Sequence, residues 1–451
     1  MATKRTSRRN FIKGVGAAGV GFWVAGGVQA EPTKSPNEKL RWACIGIGGK
    51  GDGDSNHAAE NGDIVAICDV RESELARKAK SPAFEKAKQF TDFRKMLDEV
   101  GKSIDGVTVS TPDHTHAPAA AMAIRMGKHV YCQKPLTHSI YEARTLAELT
   151  RKHNVMTQMG NQGTALEGLH LAAQVVKEGH LGTVKEVHVW TNRPIWRQGI
   201  DFYRPSSTPE AKGVNWDCFI GPAKMRPYHP SYFGLGWRGY WDFGTGALGD
   251  MACHTMNMAF MALDLRGPTS VEAGGEPHNK ETYPKGAKIK FEFPALGKRP
   301  ALAVYWYEGK DESGKPYRPP EEVMMGQKAE GSGSILVGEK GSLYSPNDYG
   351  AAFTLLPEKT YEGFKLASYN KDGGDNDSRH FRELAESIRS GKQPTSNIPD
   401  YAGPLTETVL LGNLAIWSGK KIEWDAVNMK ATNAPDLDWM IKHEYREGWS
   451  L

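Results

Sequence analysis

The stretch LRWACIGIGGKGDG, residues 40–53, narrows the folding options of this chain more than any other, because an apolar strand runs directly into Gly46-Ile47-Gly48-Gly49-Lys50-Gly51. That G-x-G-x-x-G spacing suits a strand–turn–helix whose glycines let the backbone approach a pyrophosphate at a helix N-terminus. The motif is weak alone, so its context decides. DIVAICDV is a second apolar strand ending in Asp69, placed where a carboxylate can accept hydrogen bonds from the hydroxyls of an adenosine ribose. DGVTVSTPDHTHAP is a strand entering a proline loop, and KHVYCQKP is another, reached after the helix-like APAAAMAIRMG. Such alternation predicts a parallel, doubly wound sheet with ligands at its strand ends, where Gly46 to Gly51, Asp69, Thr111, Pro112 and Lys134 fall. Asp69 would repel a 2′-phosphate, so NAD is the expected cofactor; Arg71 keeps NADP open as the weaker alternative.

Beyond Lys134, Ser139-x-x-Glu142 is a capping-box pattern that opens a helix. VMTQMGNQG reads as the next strand and the hand-over to a second domain. From there to about residue 375, VKEVHVWTN, SVEAGG, AKIKFEFPA, ALAVYWYEG, GSILVGEKGSLYS and AAFTLLP predict a large open, mainly antiparallel sheet with helices on one face. The expected layout is an α/β chain: a dinucleotide-binding domain at 39–157, a second α/β domain at 158–425 that includes closing helices within 377–420, and a tail at 426–451.

Residues 1–30 join a basic start, KRTSRRNFIKG, to a Gly/Ala/Val-rich apolar stretch and a small-residue ending, which reads as an export signal, with 31–38 as a linker. Ser7-Arg8-Arg9-Asn10-Phe11-Ile12-Lys13 resembles the bacterial twin-arginine pattern, so the periplasm or another exported location is expected. Those thirty residues carry five bases and no acid, so the formal net charge of +4 becomes −1 without them. A nucleic-acid partner has no electrostatic footprint on such a chain. No later stretch approaches the roughly 18 apolar residues of a membrane span. Five cysteines, with no C-x-x-C pair, read mostly as buried small hydrophobes rather than a disulfide or metal framework.

Five of the twelve tryptophans fall within residues 190–241. Aromatic planes interleaved with Arg193, Arg197, Arg226 and Arg238 suit a ligand with apolar C–H faces and a hydroxyl rim, as a sugar has, although self-packing or a subunit contact accounts for the same composition. Arg193, Trp196, Trp237, Tyr240, Trp241 and Asn257 are the candidate substrate contacts. GALGDMACHTMN places Asp250 and His254 four residues apart on one helix face, where a carboxylate can orient an imidazole and raise its basicity.

The Gly-rich turn, the Thr-Pro-Asp-His-Thr-His loop at 111–116, Lys134-Pro135 and the Asp-x-x-x-His of 250–254 together resemble the Gfo/Idh/MocA oxidoreductases over residues 39–425. The resemblance implies a Rossmann domain, a second domain whose open sheet serves oligomer contacts in a homodimer or tetramer, and catalysis by Lys134, Asp250 and His254. It adds His116 and Gln133 to the cofactor contacts. In the reaction it implies, a sugar secondary alcohol gives a hydride to NAD⁺, His254 takes the hydroxyl proton, Asp250 orients His254 and Lys134 polarises the oxygen. Gln133 stands where most members have glutamate, and Asn257 where an acid is often found. A redox-neutral glycosidase working through a keto-sugar, and an inactive sugar-binding or scaffold protein, are the alternatives.

Overall fold

The computed structural model describes residues 38–365, 367 and 376–451. The expected export signal at 1–30 and linker residues 31–37 lie outside them. The first sheet comprises β1 (Leu40–Ile45), β2 (Gly62–Cys68), β3 (Lys88–Phe90), β4 (Gly106–Val109), β5 (His129–Cys132) and β6 (Thr157–Met159), all parallel in the order β3-β2-β1-β4-β5-β6. Its helices are α1 (Lys50–Glu60), α2 (Glu72–Lys78), α3 (Phe93–Val100), α4 (His116–Arg125) and α5 (Ile140–His153). Helix α5 starts on the expected capping box, the Ser139 side chain accepting from Glu142 N and Glu142 accepting from Ser139 N. Both faces of this sheet are buried. Ala43, Ile45, Val107 and Val109 pack with residues of α3, α4 and α5, while Trp42, Cys44 and Ile67 pack with Ala58 of α1 and Leu75 of α2. The inner strands β1 and β4 are mostly apolar because water reaches neither side, whereas β3, Lys-Gln-Phe, is a largely exposed edge.

The second sheet has nine strands: β7 (Val184–Thr191), β8 (Ser270–Gly275), β9 (Gly286–Phe293), β10 (Leu302–Gly309), β11 (Gly333–Gly338), β12 (Ser342–Ser345), β13 (Thr354–Leu356), β14 (Ile422–Asp425) and β15 (Lys430–Ala431). Their order is β13-β12-β11-β7-β10-β9-β8-β14-β15, and only β7 and β10 run parallel. The sheet is mixed and mostly antiparallel. Val187, Val189, Ile289, Phe291, Val304 and Trp306 share one core with residues of α6 (Glu167–Lys177), α8 (Gly246–Thr255), α9 (Asn257–Leu263) and α11 (Gly403–Ser418). A one-turn helix, α7 (Trp216–Ile220), lies earlier in the aromatic segment. On the other face of the sheet, His188 stacks on Tyr305 at 4.8 Å. Helix α11, GPLTETVLLGNLAIWS, is apolar on nearly every side because it is packed on nearly every side, against α5, α8, β8 and β9.

Two boundaries differ from the expected layout. Helix α10 (Asn376–Ser390) does not close the second sheet. Phe381, Leu384, Ala385 and Ile388 pack on Trp42, Tyr131 and Phe84, with the Trp42 and Phe381 rings 5.2 Å apart, so α10 covers the first sheet beside α1. The tail from 426 onward first adds β15 to the second sheet, and its end then returns to the first, Tyr445 donating to Glu142 at 2.6 Å and the Arg94 guanidinium lying 4.2 Å over Trp449. An amphipathic helix shows in its sequence that one face is covered and not what covers it.

Candidate active site

The glycine turn meets the ends of β1 and β4 where backbone has no room for side chains. Gly46 has φ +75°, and a Cβ there would lie 2.7 Å from Ser110 O; a Cβ on Gly51 would lie 2.0 Å from Gly46 O, so α1 approaches the turn as only glycine permits. Gly49 has φ +54° and no heavy atom within 4 Å of its Cβ position, a bare stretch of backbone at the N-terminus of α1. Asp69, at the end of β2, accepts from Ile47 N at 3.1 Å and Arg71 N at 3.0 Å, and burial lifts its carboxyl above the ordinary aspartate range. Arg71 is already ion-paired to Glu74 at 3.2 Å and lies 4.0 Å from Asp69, so its charge is compensated within the protein. A ribose diol fits this end better than a 2′-phosphate.

Gly46, Gly48, Gly49, Lys50, Asp69, Thr111, Pro112, Gln133, Lys134 and His254 line one cavity of about 480 Å³. Part of its wall belongs to the aromatic segment: Phe219, Phe233, Leu235 and Trp237 line it too. That segment is fastened to the end of β2 by Asn215 N donating to Val70 O at 2.7 Å and Glu72 N donating to Gly213 O at 2.9 Å.

Lys134 follows β5, and Asp250 and His254 lie on α8. Lys134 Nζ donates to Asp250 Oδ1 at 2.7 Å and to Asp250 O at 3.0 Å. The Arg238 guanidinium is ion-paired to the same Oδ1 at 2.9 Å and lies 3.9 Å from Asp113, whose other oxygen accepts from Thr245 Oγ1 at 2.6 Å. Burial opposes the Asp250 charge, yet Lys134 and Arg238 outweigh it and hold the carboxyl well below the ordinary range. His254 is pushed well below the ordinary histidine range by burial and then by the Lys134 cation, with Asp250 only partly opposing. Its ring meets Tyr349 edge-on at 4.9 Å, and Nδ1 has no hydrogen-bond partner among the described residues. The expected Asp250–His254 pair is therefore corrected. The carboxylate grips two cations, leaving the imidazole neutral and its basicity lowered.

Other expected contacts are placed elsewhere. His116 lies behind the cavity wall, its ring nitrogens bridging Pro135 O at 2.9 Å and Thr111 O at 2.8 Å, which ties the Lys134 loop to the end of β4. Ile47 and Gly51 shape the turn from behind, through Asp69 and the close approach to Gly46. Gln133 donates to Asp54 Oδ2 at 2.9 Å, and Asp54 also accepts from Ser110 and Lys50, so an amide here matches a buried carboxylate. Asn257 is fully buried, donating to Thr164 Oγ1 at 2.9 Å and accepting from Tyr401 OH. Tyr240 packs among Phe202, Tyr232 and Phe243, and Trp241 stacks on Tyr283 at 3.6 Å away from this cavity. Arg193 pairs with its neighbour Asn192, and Trp196 reaches only within 5.9 Å of Arg238. Of the six candidate substrate contacts, Trp237 alone lines the cavity. Arg238, which sequence marks only as one of four arginines among the aromatic residues, and Tyr349, which no local pattern marks, join the site. No group of three or more His, Cys, Asp or Glu side chains is poised to hold a metal among the described residues.

Residues 40–161 match the oxidoreductase family, NAD-binding Rossmann fold, and residues 172–298 match the oxidoreductase family, C-terminal alpha/beta domain. Together with the glycine turn and Asp69, these matches define a member of an oxidoreductase family built on an NAD-binding Rossmann domain. More specifically, the chain belongs to the Gfo/Idh/MocA family. Levoglucosan dehydrogenase of Pseudarthrobacter phenanthrenivorans is 26% identical over 170 residues, 38% of this chain and 35% of that protein. Inositol 2-dehydrogenase of Salmonella typhimurium is 24% identical over 127 residues, 28% of this chain and 37% of that protein. The chain spans less than half the length of the curated relatives it matches, 28% to 46% for five of them. The solved structure of the WlbA dehydrogenase of Chromobacterium violaceum, in complex with NADH and UDP-GlcNAcA, shares the fold with a TM-score of 0.60 at 16% identity, over 87% of this chain and 98% of that one.

Proposed function

We propose that this chain is an exported NAD-dependent oxidoreductase that moves a hydride between a secondary alcohol of a sugar or glycoside and a tightly held nicotinamide cofactor. One observation carries the reading: the glycine turn, Asp69, Lys134 and His254 line a single cavity, and Asp250 is bound to Lys134 at its wall. The glycine turn and the N-terminus of α1 would hold the pyrophosphate, and Asp69 the ribose. When bound, the nicotinamide supplies or accepts the hydride. The chain's own groups handle the proton and the charge on oxygen. His254, neutral when buried, takes the hydroxyl proton at a ring nitrogen, and the Lys134 ammonium hydrogen-bonds the oxygen as negative charge develops. Asp250 positions Lys134 rather than His254, and Arg238 stabilises the charge on Asp250.

A sugar is favoured by two relatives whose names specify levoglucosan and inositol, and by the Trp237 ring beside the cations. Tight retention is supported by the aromatic segment, which forms part of the cavity wall and is hydrogen-bonded to the end of β2. Export rests on the twin-arginine pattern at residues 7–13. A homodimer or tetramer is proposed through the second sheet, whose face bearing His188 and Tyr305 lies opposite α8 and α11.

The test is to denature the purified protein, identify released small molecules by mass spectrometry, and follow absorbance near 340 nm as sugars are added. Released NAD(H), with a redox change on sugar addition, supports the proposal. A protein that neither carries nor binds NAD(H) refutes it. Glycoside cleavage with no net change in NADH would move the assignment to the redox-neutral glycosidase.

A further inference from the structure

An unbroken chain of ion pairs runs beside the glycine turn, starting from Asp69. Arg71 lies 4.0 Å from Asp69 and is paired to Glu74 at 3.2 Å. The second Glu74 oxygen accepts from Arg77 Nε at 2.9 Å, and Asp52 Oδ1 is held by Arg77 at 2.9 Å and by Lys78 at 3.0 Å. Arg71 is the N-cap of α2, which supplies Glu74, Arg77 and Lys78, while Asp52 belongs to α1. Three carboxylates thus meet three cations, and the chain as a whole is neutral.

Glu74 is its middle link. Spacings of i, i+3 to Arg71 and to Arg77 let one carboxylate engage both guanidiniums, one oxygen each. The Glu74 side chain is only 19% exposed, so these pairs are less screened than fully solvated ones, which contribute little. The group stands directly against the turn: a Cβ on Gly48 would lie 3.0 Å from Arg71 Nη2 and 3.4 Å from Glu74 Cδ. Gly48, Asp69 and Arg71 line the catalytic cavity, whereas Glu74 holds the Arg71 guanidinium from outside that lining.

A 2′-phosphate is recognised by guanidiniums that fork onto its oxygens. Arg71 reaches the cavity, but it already spends donors on Glu74. Arg77 is committed further, donating to Ile47 O at 3.2 Å as well as to Glu74 and Asp52. A nucleotide that drew Arg71 away would leave the Glu74 carboxylate short of a partner beside an incoming dianion, and Asp69 would repel that dianion as well.

We infer that Glu74 is a specificity-determining residue: by holding Arg71 it denies a 2′-phosphate its guanidinium, and with Asp69 it restricts the protein to NAD(H). The inference rests on the glycine turn and Asp69 being the adenosine end of the cofactor site. With Glu74 made neutral, the same chain of pairs carries one uncompensated positive charge, and Arg71 is the member of it that lines the cavity.

The experiment titrates NADH and NADPH into the full chain, following nucleotide fluorescence and the displacement of NADH already bound. The proteins are wild type, Glu74→Gln, Glu74→Ala, Glu72→Gln and the double variant Glu74→Gln/Arg71→Met, each checked by circular dichroism. Either Glu74 variant is expected to tighten NADPH binding about tenfold or more and to leave NADH affinity within about threefold. Glu72→Gln removes the same charge from the same turn of α2 and is expected to leave the preference unchanged; Arg71→Met is expected to abolish the gain. NADPH binding that neither Glu74 variant alters, while NADH binds as in wild type, overturns the inference, as does an equal gain in Glu72→Gln. A wild type that binds neither nucleotide refutes the cofactor reading itself, and this inference with it.

Discussion

Gly49, Gly51 and Gly53 sit within five residues of one another, and replacing each by alanine should give three different outcomes. At Gly51 the added methyl carbon would lie 2.0 Å from Gly46 O and 3.0 Å from Ser110 Cβ. A relaxed carbon–oxygen contact is more than 1 Å longer, so the turn and α1 must separate by about that distance, a cost of about 1–3 kcal/mol for overpacking. Because the displaced backbone is the pyrophosphate cradle, Gly51→Ala should weaken NADH binding by about tenfold to a hundredfold. At Gly49 there is open space, but φ +54° with ψ −123° is a conformation that suits glycine, so Gly49→Ala meets only a backbone penalty of about 1–3 kcal/mol. Gly53 lies inside α1 with nothing within 4 Å of its Cβ position, so Gly53→Ala should leave NADH affinity unchanged and stabilise the helix by about 0.5–1 kcal/mol. Titrating NADH fluorescence against the three variants, with thermal unfolding alongside, tests the series. Equal NADH affinity in Gly51→Ala and Gly53→Ala would refute the placement of the cofactor on this turn.

Asp250→Asn removes the carboxylate compensating Lys134 and Arg238 and should lower stability by about 3–5 kcal/mol in urea unfolding, with part restored by adding Lys134→Met; an unchanged midpoint would contradict that pairing. Since the folded Asp250 carboxyl lies below its unfolded value, its contribution is full above about pH 4 and lost as pH falls further, so wild type should lose stability more steeply than Asp250→Asn in acid titration. His254→Asn should reduce turnover by about a hundredfold to ten-thousandfold while NADH still binds, and equal turnover would remove His254 from proton transfer. Asn257→Ala should cost about 2 kcal/mol of stability through two lost hydrogen bonds and leave the KM for sugar unchanged; a raised KM at native stability would return Asn257 to the substrate.

Residues whose job is local were legible in the sequence. The glycine turn, Asp69 and Lys134 are read from strand ends, and the shared face of Asp250 and His254 from helical spacing. What those two residues bind was not legible, because Lys134 and Arg238 reach α8 from other parts of the chain. The aromatic segment misled for a physical reason: a ring that packs on another ring and one that faces a sugar have the same composition and spacing. Tyr240 and Trp241 pack on other rings, and Trp237 lines the cavity. Asn257 reads as a polar group on a helix and is in fact a buried latch between Thr164 and Tyr401.

The return of α10 to the first sheet sets an order for synthesis. Strand β1 emerges early, but the side of Trp42 and Tyr131 facing Phe381 stays open until translation has passed residue 390. The amino-terminal half cannot finish its core as an independent unit while the rest is being made. Shortened chains ending after β6 should therefore expose a sticky apolar groove and depend on chaperones, and any natural rearrangement that joined this Rossmann half to a new partner would have to bring α10 along.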